Sequence, residues 1–270
     1  RVKMLPAVPS WIGEPIAIKQ PTSVVFRSQA ANNLLLVAQQ DQAREALGII
    51  ITILYSLAAQ HAPGTARFYI ADYGQGDTDY AGTLARVAQM LAPHQITMLT
   101  RRNLTDTIQR ISGEVQQRLD QDEVSGGHMY LFIYGLQRAR DLRPSDSFDY
   151  SMSFGSEDTS ATPHLAKSFT TILRDGPEVG VHTITWCDTV TNLNRSLERS
   201  AWREFDLRIA FQMSNEDSNN LIGSPDARQL GFYRAFLYND EANILEKFRP
   251  YELPDEQWCR EAAEKIVRKA

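Results

Sequence analysis

The chain has 270 residues, 43% of them hydrophobic and 23% charged, with a net charge of −5 at pH 7. This is a globular composition, long enough for one large domain with its own core, and its charge argues against a chain built to coat nucleic acid. Cys187 and Cys259 are too few for a disulfide framework, and His61, His94, His128, His164 and His182 are scattered without zinc spacing. The chain is therefore expected to fold without disulfide or metal, in a reducing, cytoplasmic setting.

The chain begins at Arg1, with no initiator Met and no signal peptide, as expected of a piece of a longer protein. Residues 1–14 read as a linker from a preceding domain. Within it begins an entry strand or hairpin predicted over Pro9 to Arg27, with Pro15-Ile16-Ala17-Ile18 and Val24-Val25-Phe26 separated by the turn-like Lys19-Gln20-Pro21-Thr22. Strands and helices then alternate: strand 34–38, helix 43–60, strand 66–71, helix 82–91, strand 95–99, helix 104–120, strand 128–134, helix 166–174, and strands 181–186 and 207–212. This order predicts an α/β domain over 15–253, with a mostly parallel sheet covered by helices on both faces. Residues 144–166, rich in Ser and Asp and free of Lys and Arg until Lys167, read as a long mobile insertion. Residues 254–270 predict an amphipathic helix carrying Trp258, Ala262 and Ile266 on one face. The longest apolar run, Leu47 to Ala59, has 13 residues including Thr52 and Ser56, short of the ~20 that span a bilayer, so no membrane contact is expected.

The segment from Leu34 to Ala46 has the strand-loop-helix order of a phosphate-binding loop but lacks the chemistry. Laid on G-x-x-x-x-G-K-[ST], the two glycines become Gln39 and Arg44, the lysine becomes Glu45, and the hydroxyl residue becomes Ala46. Glycines let backbone N–H groups wrap phosphates, the lysine reaches the terminal phosphates and the hydroxyl binds magnesium. A carboxylate at the lysine position repels a triphosphate. In the apolar strand ending Phe132-Ile133-Tyr134-Gly135, Tyr134 and Gly135 stand where acids would hold magnesium.

Later segments carry a resemblance. Leu173 to Trp186 resembles the helix-Gly-strand leading to the sensor strand of FtsK/SpoIIIE translocases, with Trp186-Cys187-Asp188 in place of the phosphate-reading A-T-Q. Leu207-Arg208-Ile209-Ala210-Phe211-Gln212-Met213-Ser214 resembles the family's R-I-A-F-x-V-S strand, and Gln229 to Tyr238 its L-L-G-x-G-D-M-L-Y segment. With these landmarks in order, the chain is identified as resembling the FtsK/SpoIIIE/HerA group of RecA-like P-loop NTPase domains. It is most like the degenerate C-terminal domains of tandem, EccC-like proteins. Active members use ATP and magnesium, but no cofactor is expected here. The basic residues that the family offers to a neighbour's nucleotide fall at Glu216 and Asn219.

The resemblance implies a catalytically degenerate ATPase domain of a larger, DNA translocase-type motor, acting in assembly, regulation or substrate docking. Its partners would be other ATPase domains of the same chain or ring, and its parent could be anchored in a membrane. If DNA is moved, Arg138, Arg140 and Arg143, or Arg101 and Arg102, are the candidate contacts. The alternative is a type VII secretion domain whose vacated pocket, near Ala46, Tyr134 and Trp186, holds a cargo peptide. A third reading is an active NTPase with an unconventional site, using Arg44 on phosphate and Asp41 or Asp72 on a metal. In isolation the chain is expected to be monomeric, because nucleotide between subunits contributes to ring contacts in this family.

Overall fold

The structure, a computed structural model, describes residues 5–121, 126–144 and 161–269. Its strands are β1 (Val8–Pro15), β2 (Thr22–Phe26), β3 (Leu34–Val37), β4 (Arg67–Asp72), β5 (Gln95–Leu99), β6 (Met129–Tyr134), β7 (Val181–Cys187), β8 (Leu207–Ala210), β9 (Ala235–Asn239) and β10 (Ile244–Pro250). The α-helices are α1 (Ala43–Ala58), α2 (Thr83–Met90), α3 (Leu104–Leu119), α4 (Ala161–Asp175), α5 (Val190–Ser196), α6 (Asn215–Ile222) and α7 (Glu256–Lys269). All ten strands join one sheet in the order β2-β1-β10-β9-β8-β3-β7-β6-β4-β5. From β8 to β5 the ladders are parallel, while β9, β10, β1 and β2 extend the β8 side as an antiparallel wing.

Alternation divides the core between the two faces of the sheet. Leu34 and Leu36 of β3, with Tyr130, Phe132 and Tyr134 of β6, face a core completed by α1, α2 and α7. Leu35, Val37, Leu131 and Ile133 face the core completed by α3, α4, α5 and α6. Helix α1 contains Ile49-Ile50-Ile51-Thr52-Ile53, a β-branched run with poor intrinsic helix propensity. It is helical because it packs between the sheet and α7, with its four isoleucines fully buried. Gly48 permits the close approach of the chain before α7: a Cβ there would lie 2.8 Å from the Leu253 amide nitrogen.

The α/β architecture matches expectation, with differences at the edges. The first strand is Val8–Pro15, so residues 8–14, read as linker, belong to the sheet, whereas residues 16–20 form a bend. Val8, Ser10 and Ile12 point inward and Trp11 outward, an alternation concealed by a buried serine and by Pro9. Neither strand of the β9–β10 hairpin is among those predicted, and in β10 Glu246, Lys247 and Arg249 interrupt the apolar pattern. Glu246 is instead satisfied across the sheet, by Lys19 at 2.6 Å and the Thr22 hydroxyl at 2.5 Å. Of the predicted insertion, residues 145–160 lie outside the described residues, and Ala161 to Ala166 are already helical in α4. The C-terminal helix is present as α7. No helix among the described residues is long and apolar enough to cross a membrane.

One buried polar side chain, just before β3, ties together the end of α4, the turn before β8 and strand β7. Asn33, fully buried, donates from Nδ2 to the carbonyls of Leu173 (2.9 Å) and Glu204 (2.7 Å) and accepts from the Thr183 amide (2.7 Å). Asn33→Ala would leave two carbonyls and an amide without these partners in a dry interior. We expect a loss of about 2–4 kcal/mol in urea unfolding, with a change under about 1 kcal/mol contradicting this role.

Candidate functional site

The C-terminal ends of β3, β6, β7 and β8 lie side by side beneath the N-terminus of α1. In an open α/β sheet this is where ligands gather. After β3 the chain passes through Ala38 and Gln39 into a 3₁₀ turn, Gln40–Gln42, and then into α1. The turn closes on itself, with the Gln42 amide donating to Gln39 O at 2.8 Å and the Ala43 amide to Gln40 O. These two N–H groups are therefore directed at the loop's own carbonyls rather than at a ligand. Lacking glycine, the loop takes this compact turn in place of a wide phosphate cradle.

On the β6 and β7 side, two aromatic rings support the loop. Tyr134 and Trp186 stack with centroids 4.5 Å apart and planes 26° from parallel. Trp186 donates from Nε1 to Ala38 O (2.9 Å), and Tyr134 donates from its hydroxyl to Ala43 O (3.0 Å). Both rings are buried, and burial holds the Tyr134 phenol above its ordinary pKa, so it remains a neutral donor. The small side chains of Ala43 and Ala46, fully buried in the same core, leave room for them. Gly135 takes a positive φ of 94° where the chain turns away after β6, close to Tyr73.

The other positions singled out from the sequence are distributed as follows. Cys187 is buried, and burial pushes its thiol pKa up to about 12, leaving it unreactive. Asp188 accepts from the Asn192 side chain (2.9 and 3.1 Å) beside Thr189, which caps α5. Arg44 pairs with Asp79 at 2.7 Å on the surface, and Asp72 accepts from the Gly74 amide at 2.9 Å. Arg44 and Asp72 are thus engaged locally, while Asp41 is exposed at the loop. Among the described residues, no group of three or more His, Cys, Asp or Glu side chains is placed to hold a metal.

Of the arginines proposed as nucleic-acid contacts, two are hydrogen-bonded within the chain and three are exposed. Arg138 bridges Tyr73 O (3.0 Å) and Gln40 Oε1 (3.2 Å), tying the turn after β6 to the loop after β3, and Arg143 donates to Gln137 O. Arg140 is exposed, as are Arg101 and Arg102 beyond β5. Glu216 and Asn219 are exposed on α6.

On the β8 side of the loop lies a cleft of about 570 Å³, lined among others by Asp41, Gln42, Glu45, Gln212, Phe232 and Tyr233. A smaller cleft of about 230 Å³ shares Glu45 and Tyr233 with it and reaches Arg44 and Glu252. Phe232 and Tyr233 are 82% and 64% exposed, although such rings are ordinarily buried. They follow Gly231 (φ 71°), and Tyr233 itself has φ 55°, so the turn presents both rings at the rim. Sequence reasoning missed this pair. The available signal was two adjacent aromatics after a glycine, outside either apolar periodicity.

Comparison of the sequence with protein-family models and with curated proteins gives no match. Solved structures do match. The pCW3 conjugation coupling protein TcpA, in its monomer form with ATPgS, superposes with a TM-score of 0.70 at 12% identity, over 97% of this chain and 70% of that one. Thermomonospora curvata EccC (ATPases 2 and 3), in complex with a signal sequence peptide, gives 0.66 at 15% identity, over 97% and 47%. EssC (ATPases 2 and 3) from Geobacillus thermodenitrificans gives 0.61 at 13% identity, over 100% and 50%. The chain therefore has the P-loop NTPase fold, in the form found in these coupling and type VII secretion ATPases. It spans about half the length of the EccC and EssC chains.

Proposed function

We propose that this chain is a non-hydrolysing ATPase-fold domain of a larger translocase, serving to dock a polypeptide and working beside other ATPase domains of its parent. The observation that carries the reading is the Tyr134–Trp186 stack. These rings, with their hydrogen bonds to Ala38 O and Ala43 O, stand where magnesium-holding and phosphate-reading groups belong. Phosphoryl transfer rests on positioning and charge neutralisation, and Glu45 and Ala46 supply neither of the loop's usual ligands. A polypeptide is favoured over DNA because the cleft beside the loop is lined by carboxylates and aromatic rings, while Arg138 and Arg143 donate to Tyr73 O, Gln40 Oε1 and Gln137 O within the chain. The chain's fit to about half of EccC, which in one structure holds a signal sequence peptide, agrees with this role.

Calorimetry with ATP and magnesium is the direct test. We expect no binding tighter than about 1 mM and no hydrolysis, since each lost phosphate contact removes roughly 1–2 kcal/mol. Micromolar ATP affinity would overturn the reading.

A further inference from the structure

Between β4 and α2 the chain crosses the candidate site as residues 73–82. Tyr73 is fixed at one end, its amide donating to Tyr134 O at 2.8 Å and its carbonyl accepting from Arg138 at 3.0 Å. The chain then runs across the Tyr134 ring. A Cβ on Gly74 would lie 3.0 Å from Tyr134 Cε1 and 2.9 Å from Asp72 Oδ1, so glycine alone passes this close without a shift. Tyr80, half-buried, packs against the same core and hydrogen-bonds to Tyr134. Helix α2 starts from Gly82, at φ 70°.

Residues 74–82 therefore cover Tyr134, yet little holds them down. None of them is buried. Several of their hydrogen bonds are local: the Gly74 amide to Asp72, the Thr78 hydroxyl to Gln75 O and the Ala81 amide to Thr78 O. Among the described residues, their hydrogen bonds and ion pairs to distant parts of the chain are those of Tyr80 with Tyr134 and of Asp79 with Arg44. The Asp79 and Arg44 side chains are 77% and 50% exposed. An exposed ion pair holds weakly and is screened by salt. A segment with so few buried contacts opens at less cost than the core around it.

We infer that residues 74–82 form a strap that opens while the rest of the domain stays folded, with the Arg44–Asp79 ion pair as its catch and the Tyr134 ring as the surface it uncovers. Arg44 stands where a phosphate loop has its second glycine, so the vacated loop position secures the strap in place of cradling a ligand. Closed, the strap buries an aromatic ring at the C-terminal ends of the parallel strands. Open, it presents that ring, stacked on Trp186, at the candidate site. The strap opens in the same way whatever the site binds, because none of these contacts involves a ligand.

Native-state proteolysis tests this. Chymotrypsin cuts after Tyr80 once the strap is open, and mass spectrometry separates that cut from those at other aromatic residues. In the natural protein its rate, normalised to a short peptide substrate, is expected to stay nearly constant through urea concentrations well below the global transition, as for a local opening. Asp79→Asn should raise the rate about two- to fivefold at low salt. Salt at about 0.5 M should raise it similarly in the natural protein and hardly at all in the variant. Exchanging the pair, Arg44→Asp with Asp79→Arg, should return the rate close to its natural value. Both positions are exposed, so these variants should fold normally, which circular dichroism and thermal unfolding would verify. A cut after Tyr80 that is absent, or that appears only in step with global unfolding, would overturn the inference. So would an unchanged rate in Asp79→Asn.

Discussion

Trp186→Ala is expected to lower the unfolding free energy by about 3–5 kcal/mol, the range for removing a large buried aromatic side chain. Three effects combine at this position. A fully buried indole disappears, Tyr134 loses its stacking partner, and Ala38 O loses its Nε1–H donor. Trp186→Phe keeps a ring against Tyr134 but not the hydrogen bond, so its loss should be clearly smaller. Tyr134→Phe removes only the hydroxyl to Ala43 O and should cost about 0.5–1.5 kcal/mol. Urea titrations of the three variants rank these contributions. A loss under about 1 kcal/mol for Trp186→Ala would mean that the rings occupy the space without supporting the loop, leaving it open to a ligand after all.

The sequence shows the loop's missing chemistry more readily than what replaces it. Glu45 and Ala46 can be read directly, because a phosphate loop needs specific residue types at fixed spacing. The parallel strands are legible for a similar reason: β6 is an unbroken run of apolar and aromatic residues, and β7, buried on both faces, is a β-branched run broken by one histidine. The antiparallel wing is not, since β1 and β10 mix buried and exposed positions with charged residues whose partners come from distant segments. Arg138 illustrates the limit at the site. Its position after a strand resembles a free basic residue, but its two hydrogen bonds go to Tyr73 and Gln40, 65 and 98 positions away in the chain. The cleft is still less legible. Its acidic wall comes from the start of α1 and its aromatic wall from the turn before β9, and the sheet order alone brings them together.

Acidification from pH 7 to pH 5 is expected to cost this domain about 6 kcal/mol, because of three histidines at the opposite end of the parallel strands from the cleft. His61, after α1, lies with its ring centroid 5.2 Å from that of His128, which precedes β6; His128 lies 6.0 Å from His182 of β7. Tyr130 is stacked against His128 and His182 and shares a hydrogen bond with His61 (2.9 Å). The other polar groups facing the cluster are backbone carbonyls, Asn32 O on His182 and Pro6 O on His128, with Arg118 and His94, the latter acting on His61, able to add positive charge. Burial, reinforced by mutual repulsion with neighbouring histidines for His61 and His128, lowers the pKa of His61 to about 4, of His128 to about 3 and of His182 to about 4. The folded-state values lie below the unfolded value of about 6.5, so the stability is complete above that pH. It is lost as pH falls, because the unfolded chain takes up protons that the native state refuses. At pH 5 each neutral histidine accounts for about 2 kcal/mol, and few ordinary carboxylates titrate in that window. The total is of the order of the whole stability of many domains, so the stability of this one should fall markedly between pH 7 and pH 5. Denaturant midpoints measured across this range should fall steeply in the natural protein and less steeply in His128→Leu, even if that variant is weaker at pH 7. Parallel pH profiles for the two proteins would show that the cluster does not carry the acid sensitivity.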